Sequence, residues 1–252
     1  MNESVSNPTS FLGSLEQVFF FEMDQQTSAC LFGSSLTDDW ISGRSDLDLF
    51  VVVPEEKIEL FGEKIRMWQS KPEHPTLDGY VLYSSGNVAM VREFYKFENA
   101  FRLTEKFIPL IDSWNIRNRS RHLFGKDMNT FVREISQEEL KDWAFKYIEG
   151  HWIPLLNDLI LRGSPEAKIP LSALIFIASG VARMLMLTKG NICSSKREAL
   201  QWLADEYIET REIINLLKED FQKADTVANT FTASQSRILG NNLLKILCEI
   251  KL

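Results

Sequence analysis

The chain has 252 residues, 44% of them hydrophobic, which is enough to bury the core of one large domain or two small ones. Its formal net charge of -7 argues against a main surface that binds nucleic acid, and it suits a cationic small-molecule partner better. No apolar run approaches the roughly 18 residues that a membrane span needs, so no membrane partner is expected.

The cysteines and the N-terminal residues indicate the compartment. Cys30, Cys193 and Cys248 are an odd number, lie in apolar contexts and show no metal-binding spacing. Free thiols of this kind are typical of a reducing cytoplasm. The first ten residues have neither the basic segment nor the apolar segment of a signal peptide. We therefore expect a cytoplasmic protein, monomeric or weakly dimeric.

The first predicted elements are a helix over residues 10–23 and a strand that begins at Ala29. The strand is interrupted by Gly33 and Ser34. A residue without Cβ lets backbone N–H groups and a hydroxyl approach an anion closely, especially where a helix begins at Ser34 or Ser35. Gly33 and Ser34 are therefore expected to contact a phosphate group.

A polar loop over residues 36–44 follows, and it contains Trp40. An indole ring at this place could stack on a nucleobase, or it could serve as a lid or a partner contact. The sequence leaves these alternatives open.

Two carboxylates, Asp46 and Asp48, occupy alternate positions at the start of the next apolar strand. Alternate residues of a strand share a face, so the two acids lie side by side. Burial makes their shared charge costly unless a cation is present. Hard oxygen ligands select Mg²⁺ or Mn²⁺, and Mg²⁺ usually shares its coordination with substrate phosphates. The pattern therefore predicts a metal-nucleotide site.

A third acid comes from the following strand. Residues 55–70 have the spacing of an amphipathic helix, and residues 74–83 read as a strand with Asp78 near its start. Transfer of a nucleotidyl group requires a carboxylate that takes the proton of the acceptor hydroxyl. Asp78 is the candidate, with Glu73 and Glu93 as rivals. An acid exposed to water at the strand start is the alternative.

The sequence then alternates loosely over residues 90–98 and takes helical spacing from Phe101 to Ile111. The basic cluster at residues 117–122 reads as the solvated end of this helix before Gly125.

A change in composition near residues 128–140 marks a domain boundary, where Ser136 and Glu139 form a capping-box pattern. From there the pattern is almost all helical. The expected fold class is α+β, with a mixed sheet and flanking helices in residues 1–135 and a helical bundle in residues 136–252. The predicted helices of the bundle span residues 136–162, 170–189, 194–207, 210–223 and 230–251.

The first half of the chain resembles the DNA polymerase β nucleotidyltransferase superfamily. The resemblance rests on Gly33-Ser34, on the loop that ends in Gly43-Arg44-Ser45, and on Asp46-Leu47-Asp48 in a hydrophobic strand. Further segments, in the same order, are similar to the aminoglycoside adenylyltransferases that modify streptomycin and spectinomycin. They are Arg92-Glu93-Phe94, Phe97-Glu98, Leu123-Phe124-Gly125 and the stretch from Lys196 to Trp202.

This resemblance implies an N-terminal nucleotidyltransferase domain, a helical C-terminal domain, and an acceptor site in the cleft between them, with ATP and two Mg²⁺ ions. It implies that Ser34 and Ser45 contact phosphates and that Lys196 contacts the triphosphate. It makes Asp46 and Asp48 metal ligands and Asp78 the base, in place of the family's Glu; whether Asp78 is also a metal ligand stays open.

The acceptor is less well defined than the nucleotide donor. Asn99 replaces an aromatic residue of the family, and residues 163–172 offer only Glu166 where the family grips streptomycin. We expect transfer of AMP to a hydroxyl of a small cationic molecule such as an aminoglycoside. The alternatives are a protein or tRNA acceptor in a toxin-antitoxin setting, and a nucleotide-binding module without catalysis.

Overall fold

The computed structural model describes residues 11–13, 15–16, 27–41, 45–85, 88–97, 100–105, 108–162, 168–219 and 230–250. The chain divides into two compact units, Met1–Ile135 and Ser136–Leu252. The first contains a six-stranded mixed sheet with flanking helices, and the second is built mainly from helices. The expected α+β fold class is confirmed.

The sheet of the first unit has the strand order β5-β4-β3-β2-β1-β6. Only β2 and β3 pair in parallel, and the other neighbours are antiparallel. Helix α1 connects β2 to β3, as a parallel pair requires a crossover. In chain order the elements are β1 (Ser28–Phe32), β2 (Leu47–Pro54), α1 (Ile58–Gln69), β3 (Leu77–Ser85), β4 (Val88–Phe97), β5 (Ala100–Glu105), α2 (Leu110–Arg119) and β6 (Arg121–Phe124).

Each face of the sheet is covered by one of the two helices. On one face, Leu49 and Val51 of β2 pack with Phe61, Ile65 and Trp68 of α1. On the other face, Phe32, Phe50 and Tyr80 pack with Ile116 of α2. Because side chains alternate along a strand, Asp48 and Asp78 share this second face with Phe50 and Tyr80. We call it the carboxylate face.

Two predictions for the middle of the chain differ from the structure, one of them only in part. The helical spacing predicted from Phe101 onward is instead strand β5, which pairs with β4, and the helix starts only at Leu110. The basic cluster is divided: Arg117 and Arg119 lie in the last turn of α2, as expected for a helix end, whereas Arg121 and His122 form part of the edge strand β6. In both cases strand pairing overrides the local pattern: β5 pairs with the preceding strand β4, and β6 pairs with the distant strand β1.

The predicted N-terminal helix falls largely outside the described residues. Residues 12–13 and 15–16 are helical, and Leu12 and Leu15 belong to the core beneath α1.

The second unit is built around a long apolar helix, α5, that contacts four others, α3, α6, α7 and α8. The Ser136 hydroxyl and the Glu139 carboxylate each accept a backbone N–H of the other residue, so the capping box is confirmed. One element pair was missed, since β7 and β8 form a short antiparallel ladder. The elements are α3 (Gln137–Tyr147), a π-helical turn (Ile148–Trp152), α4 (Ile153–Arg162), β7 (Lys168–Pro170), α5 (Leu171–Thr188), α6 (Lys196–Glu206), α7 (Arg211–Glu219), β8 (Thr230–Thr232) and α8 (Ala233–Ile250).

Helix α5 is long and apolar enough to cross a membrane by length and composition, with a mean hydropathy of 1.8 over 18 residues. The expectation that no run approaches this length is therefore wrong for α5. However, 78% of the helix is buried within the protein, and a core helix passes the same test. The helix packs so closely against its neighbours that a Cβ at Gly180 would lie 2.3 Å from the ring of Trp152.

Candidate functional site

Parallel pairing of β2 and β3 brings two of the predicted acids together. Asp48 lies directly opposite Asp78 in the ladder, so both carboxylates project from the same face at adjacent positions. Asp46 is exposed and lies one residue before β2. On the other side of β2 lies β1, in which Phe32 is opposite Asp48. The row Phe32, Asp48 and Asp78 thus crosses three strands at one end of the carboxylate face.

Gly33 follows Phe32 and packs directly against the Asp48 carboxylate. Its φ of 72° lies in the left-handed region, and a Cβ there would lie 2.0 Å from Oδ2 of Asp48. Residues Gly33–Leu36 form a single 3-10 turn rather than the start of an α-helix. The Ser34 N–H donates to Oδ2 of Asp48 at 3.3 Å. Gly33 and Ser34 are thus part of the site, and their contact with a phosphate stays a prediction.

The Asp48 carboxylate sits in an environment that disfavours its charge. Burial and then the neighbouring carboxylates Asp78, Asp112 and Asp46 raise its pKa to about 8, and only the Ser34 N–H acts in the other direction. Among the described residues, the groups that act most strongly on the Asp48 charge include no cationic side chain. A bound cation would offset the unfavourable charge of Asp48.

Asp78 is held by the backbone that follows it. Its Oδ1 accepts the Gly79 N–H at 2.6 Å. Gly79 has a φ of 138°, and a Cβ there would lie 1.9 Å from the carbonyl oxygen of Leu49, so only glycine fits beside β2 at this point. The turned Gly79 N–H thus helps to orient the third carboxylate of the site.

The two rival acids lie in different places. Glu93 lies opposite Tyr80 in the β3–β4 ladder, on the carboxylate face, and its charge acts on Tyr80. Glu73 is exposed in the turn between α1 and β3 and is not among the acids that act on Asp48. Of the two rivals, Glu93 is therefore on the same face of the sheet as Asp78.

The loop before β2 is closed by Ser45. Its hydroxyl accepts the N–H of Ile41 at 2.9 Å, and its own N–H donates to the Ile41 carbonyl at 2.9 Å. Gly43 and Arg44 lie outside the described residues. Trp40 is half-buried and packs against the core beneath α1, which favours a structural role over nucleobase stacking. Contact of Ser45 with a phosphate stays a prediction.

Lys196 belongs to the second unit. It is the first residue of α6, half-buried, and follows Ser195, whose hydroxyl accepts the Glu198 N–H at 3.2 Å. Its contact with a triphosphate stays a prediction. Asn99 and Glu166, which bear on the acceptor, lie outside the described residues.

The donor chemistry of the site fits a hard divalent cation, since Asp46, Asp48 and Asp78 offer carboxylate oxygens only. Within the described part of the chain, no three His, Cys, Asp or Glu side chains converge closely enough to hold a metal by themselves. Asp46 is exposed and Asp78 is turned toward Gly79, so the side chains would have to move for all three to bind one ion. Binding of Mg²⁺ by Asp46, Asp48 and Asp78 therefore stays a prediction.

Two residues of the site were missed. The Tyr80 hydroxyl donates to Oδ2 of Asp112 at 2.8 Å, and Asp112 acts on the charge of Asp48. Tyr80 could have been expected from its position two residues after Asp78 on the same strand. Asp112 could not, because the local pattern does not show that the helix Leu110–Arg119 covers the face that carries Tyr80.

Comparison with known proteins agrees with this location of the site. Residues 19–113, less than half of the chain, match the family model of the nucleotidyltransferase domain, and this range contains Gly33, Asp46, Asp48, Asp78 and Asp112. The expected enzyme class, a nucleotidyltransferase, is confirmed by this match. No curated protein matches the chain. The solved structure of the CdnE c-UMP-AMP synthase of Rhodothermus marinus with Apcpp and Upnpp is similar at 10% identity and a TM-score of 0.33, over 98% of this chain and 92% of that one. Similarity at this level says nothing about the substrates of this chain.

Proposed function

Given that the chain carries a nucleotidyltransferase domain, we propose that the protein transfers AMP from Mg-ATP to a hydroxyl of a small cationic acceptor, with aminoglycosides as the first acceptors to test. The proposal includes a cytoplasmic location, with neither a nucleic acid nor a membrane expected as a partner. A monomer or a weak dimer is the expected form.

One arrangement carries the proposal: Asp48 and Asp78 lie opposite each other in parallel strands, with Gly33 packed against Asp48. Two adjacent carboxylates on a half-buried sheet face are unfavourable unless a cation binds there. A fold that maintains such a pair, within a matched nucleotidyltransferase domain, is best explained by a metal-nucleotide site.

The residues divide into those that hold the donor and one that accepts a proton. Asp46 and Asp48 would hold Mg²⁺, with Ser34, Ser45 and Lys196 as contacts to the phosphates. Bound Mg²⁺ would neutralise charge on the triphosphate and polarise the reacting phosphate. Asp78 would take the proton of the acceptor hydroxyl as the oxygen of that hydroxyl forms a bond to the α-phosphorus. The bond from that phosphorus to the bridging oxygen breaks, and pyrophosphate leaves.

Charge supports a cationic acceptor. The chain has a formal net charge of -7, and the carboxylate face adds Glu93 and Asp112 to the predicted metal ligands. Such a surface attracts ammonium groups and repels the phosphates of RNA. Aminoglycosides combine several ammonium groups with hydroxyls and therefore fit these requirements.

The test is incubation with Mg²⁺, an aminoglycoside panel and ATP labelled at either the α- or the γ-phosphate. We expect label from the α-phosphate alone on the acceptor, with equimolar release of pyrophosphate. Asp48→Asn is the inactive control. Label on the acceptor from γ-labelled ATP would show phosphoryl transfer instead, and no product with any of the four nucleoside triphosphates would contradict the proposal.

A further inference from the structure

Two helices of the second unit begin with the same local pattern, a serine followed three residues later by a glutamate. In α3 the Ser136 hydroxyl accepts the Glu139 N–H at 3.1 Å, and the Glu139 carboxylate folds back to accept the Ser136 N–H at 2.9 Å. In α6 the Ser195 hydroxyl likewise accepts the Glu198 N–H at 3.2 Å. The hydrogen bond from the glutamate N–H to the serine is thus common to both helices.

The Glu198 carboxylate of α6 accepts a hydrogen bond from a residue that precedes the helix. Its Oε2 accepts the thiol of Cys193 at 3.3 Å, and the same thiol donates to the Ser195 carbonyl oxygen at 3.1 Å. Cys193 is buried, with 3% of its surface exposed, so the carboxylate oxygen that it holds is turned toward the protein interior. Burial and the Glu198 carboxylate raise the pKa of the Cys193 thiol, so the thiol keeps its proton and remains a donor.

The direction of this carboxylate matters because Lys196 lies, in sequence, between the two groups that the Cys193 thiol contacts. Lys196 is the first residue of α6, directly after Ser195 and two residues before Glu198. A Glu198 carboxylate released from Cys193 could fold back over the start of the helix, as Glu139 does in α3. A negative charge at that place would repel a phosphate and attract the Lys196 ammonium away from it.

We propose that Cys193 is a positioning residue for the donor nucleotide: its thiol draws the Glu198 carboxylate aside, so that Lys196 at the start of α6 can contact a phosphate. The inference rests on the proposed function, which assigns a phosphate contact to Lys196. It adds Cys193 and Glu198 to the residues on which binding of the nucleotide depends.

The test measures binding of Mg-ATP to the full chain by calorimetric titration. Cys193→Ala removes the donor and should weaken ATP binding about fivefold, the effect of one additional negative charge near a phosphate in a solvated setting. Cys193→Ser keeps a hydroxyl that can donate to the same oxygens, so its ATP affinity should stay within about twofold of wild type. Cys248→Ala is the matched control, since it makes the same substitution at an exposed thiol, and it should have no effect.

Removal of the Glu198 charge separates positioning from a merely structural role. In the double variant that combines Cys193→Ala with Glu198→Gln, ATP affinity should return to the wild-type value, because a neutral amide does not repel the phosphate. In Cys193→Ala alone, kcat at saturating ATP should stay within about twofold of wild type, since only binding of the nucleotide is impaired. Loss of affinity through a displaced helix would not be rescued by Glu198→Gln.

Wild-type ATP affinity in Cys193→Ala, or equal weakening in the single and the double variant, would overturn the inference and leave the proposed function intact. Should Cys193→Ala not fold, Cys193→Val, which fills the space without a donor, takes its place with the same expected results. Wild-type ATP affinity in Lys196→Ala would also overturn the inference, because the phosphate contact would be absent. Rescue by Glu198→Gln in a protein that transfers no AMP would support the inference and contradict the function.

Discussion

Gly33 and Asp48 are in direct contact, because the α-hydrogens of Gly33 occupy the space where a Cβ would lie 2.0 Å from Oδ2 and 2.7 Å from Cγ of Asp48. Gly33→Ala should therefore displace the carboxylate and strain a backbone with a φ of 72°. We expect a loss of about 1–3 kcal/mol in the free energy of unfolding, measured by urea denaturation, and loss of nucleotidyl transfer.

Gly13→Ala is the control for this substitution, because Gly13 is helical and a Cβ there would meet nothing within 4 Å. It should leave activity unchanged and stability equal or slightly higher. Equal activity of Gly33→Ala and Gly13→Ala would mean that the contact with Asp48 does not matter for function.

The stability of the metal-free protein should depend on pH through Asp48, whose pKa is raised to about 8 by burial and by Asp78. Between about pH 4, where an aspartate of the unfolded chain ionises, and about pH 8, the folded protein keeps a proton that the unfolded chain has lost. The contribution of Asp48 to the free energy of unfolding should therefore be greatest below about pH 4 and should fall as the pH rises toward 8. The expected loss is at least about 1.4 kcal/mol, the equivalent of one pKa unit.

Urea denaturation in EDTA across this pH range gives the measurement. Asp48→Asn cannot ionise, so its stability relative to wild type should increase with pH, and added Mg²⁺ should stabilise only the wild type. Parallel curves for the two proteins would show that Asp48 ionises normally in the folded state.

Asp78→Asn should slow nucleotidyl transfer by roughly 100-fold or more, as expected for removal of a general base, while ATP and metal still bind. Single-turnover kinetics together with Mn²⁺ titration separate the two effects. Loss of Mn²⁺ binding would make Asp78 a metal ligand. Full activity would assign the base to another acid, with Glu93 first because it shares the carboxylate face; Glu73→Gln serves as the exposed control.

Lys196→Ala should weaken ATP binding about tenfold or more, since a charge-assisted hydrogen bond to phosphate contributes about 1.5–3 kcal/mol. Calorimetric titration of ATP measures the change. Lys141→Ala removes an exposed lysine of α3 in the same unit and should have no effect. Equal affinities in the two variants would remove Lys196 from the site.

The residues of the site that could be predicted are those whose position depends only on their neighbours in the sequence. Asp46-Leu47-Asp48 fixes its own alternation, and a Gly-Ser pair after an apolar run marks the end of a strand. Asp78 was expected near the start of the strand that follows the helix, and a helix between two strands is the crossover that a parallel pair needs. The structure places the two acids opposite each other.

The residues that were missed depend on contacts between distant parts of the chain. Strand β6 has only four residues and begins with Arg121 and His122, which have little strand propensity, and it exists because β1 offers an edge to pair with. The position of Asp112 depends on the packing of α2 over the carboxylate face, where it accepts the Tyr80 hydroxyl. No local pattern contains that information.

The burial of the cysteines has a practical consequence. Burial raises the pKa of Cys30 to about 11 and that of Cys193 to about 12, so both are thiols rather than thiolates at neutral pH, whereas Cys248 is exposed near the end of α8. An alkylating dye should therefore attach to the native chain at one position without any cysteine being removed. A fluorophore at Cys248 would report on the helical unit from a place 52 residues after Lys196, and its response to nucleotide could be followed in the unmodified wild-type sequence.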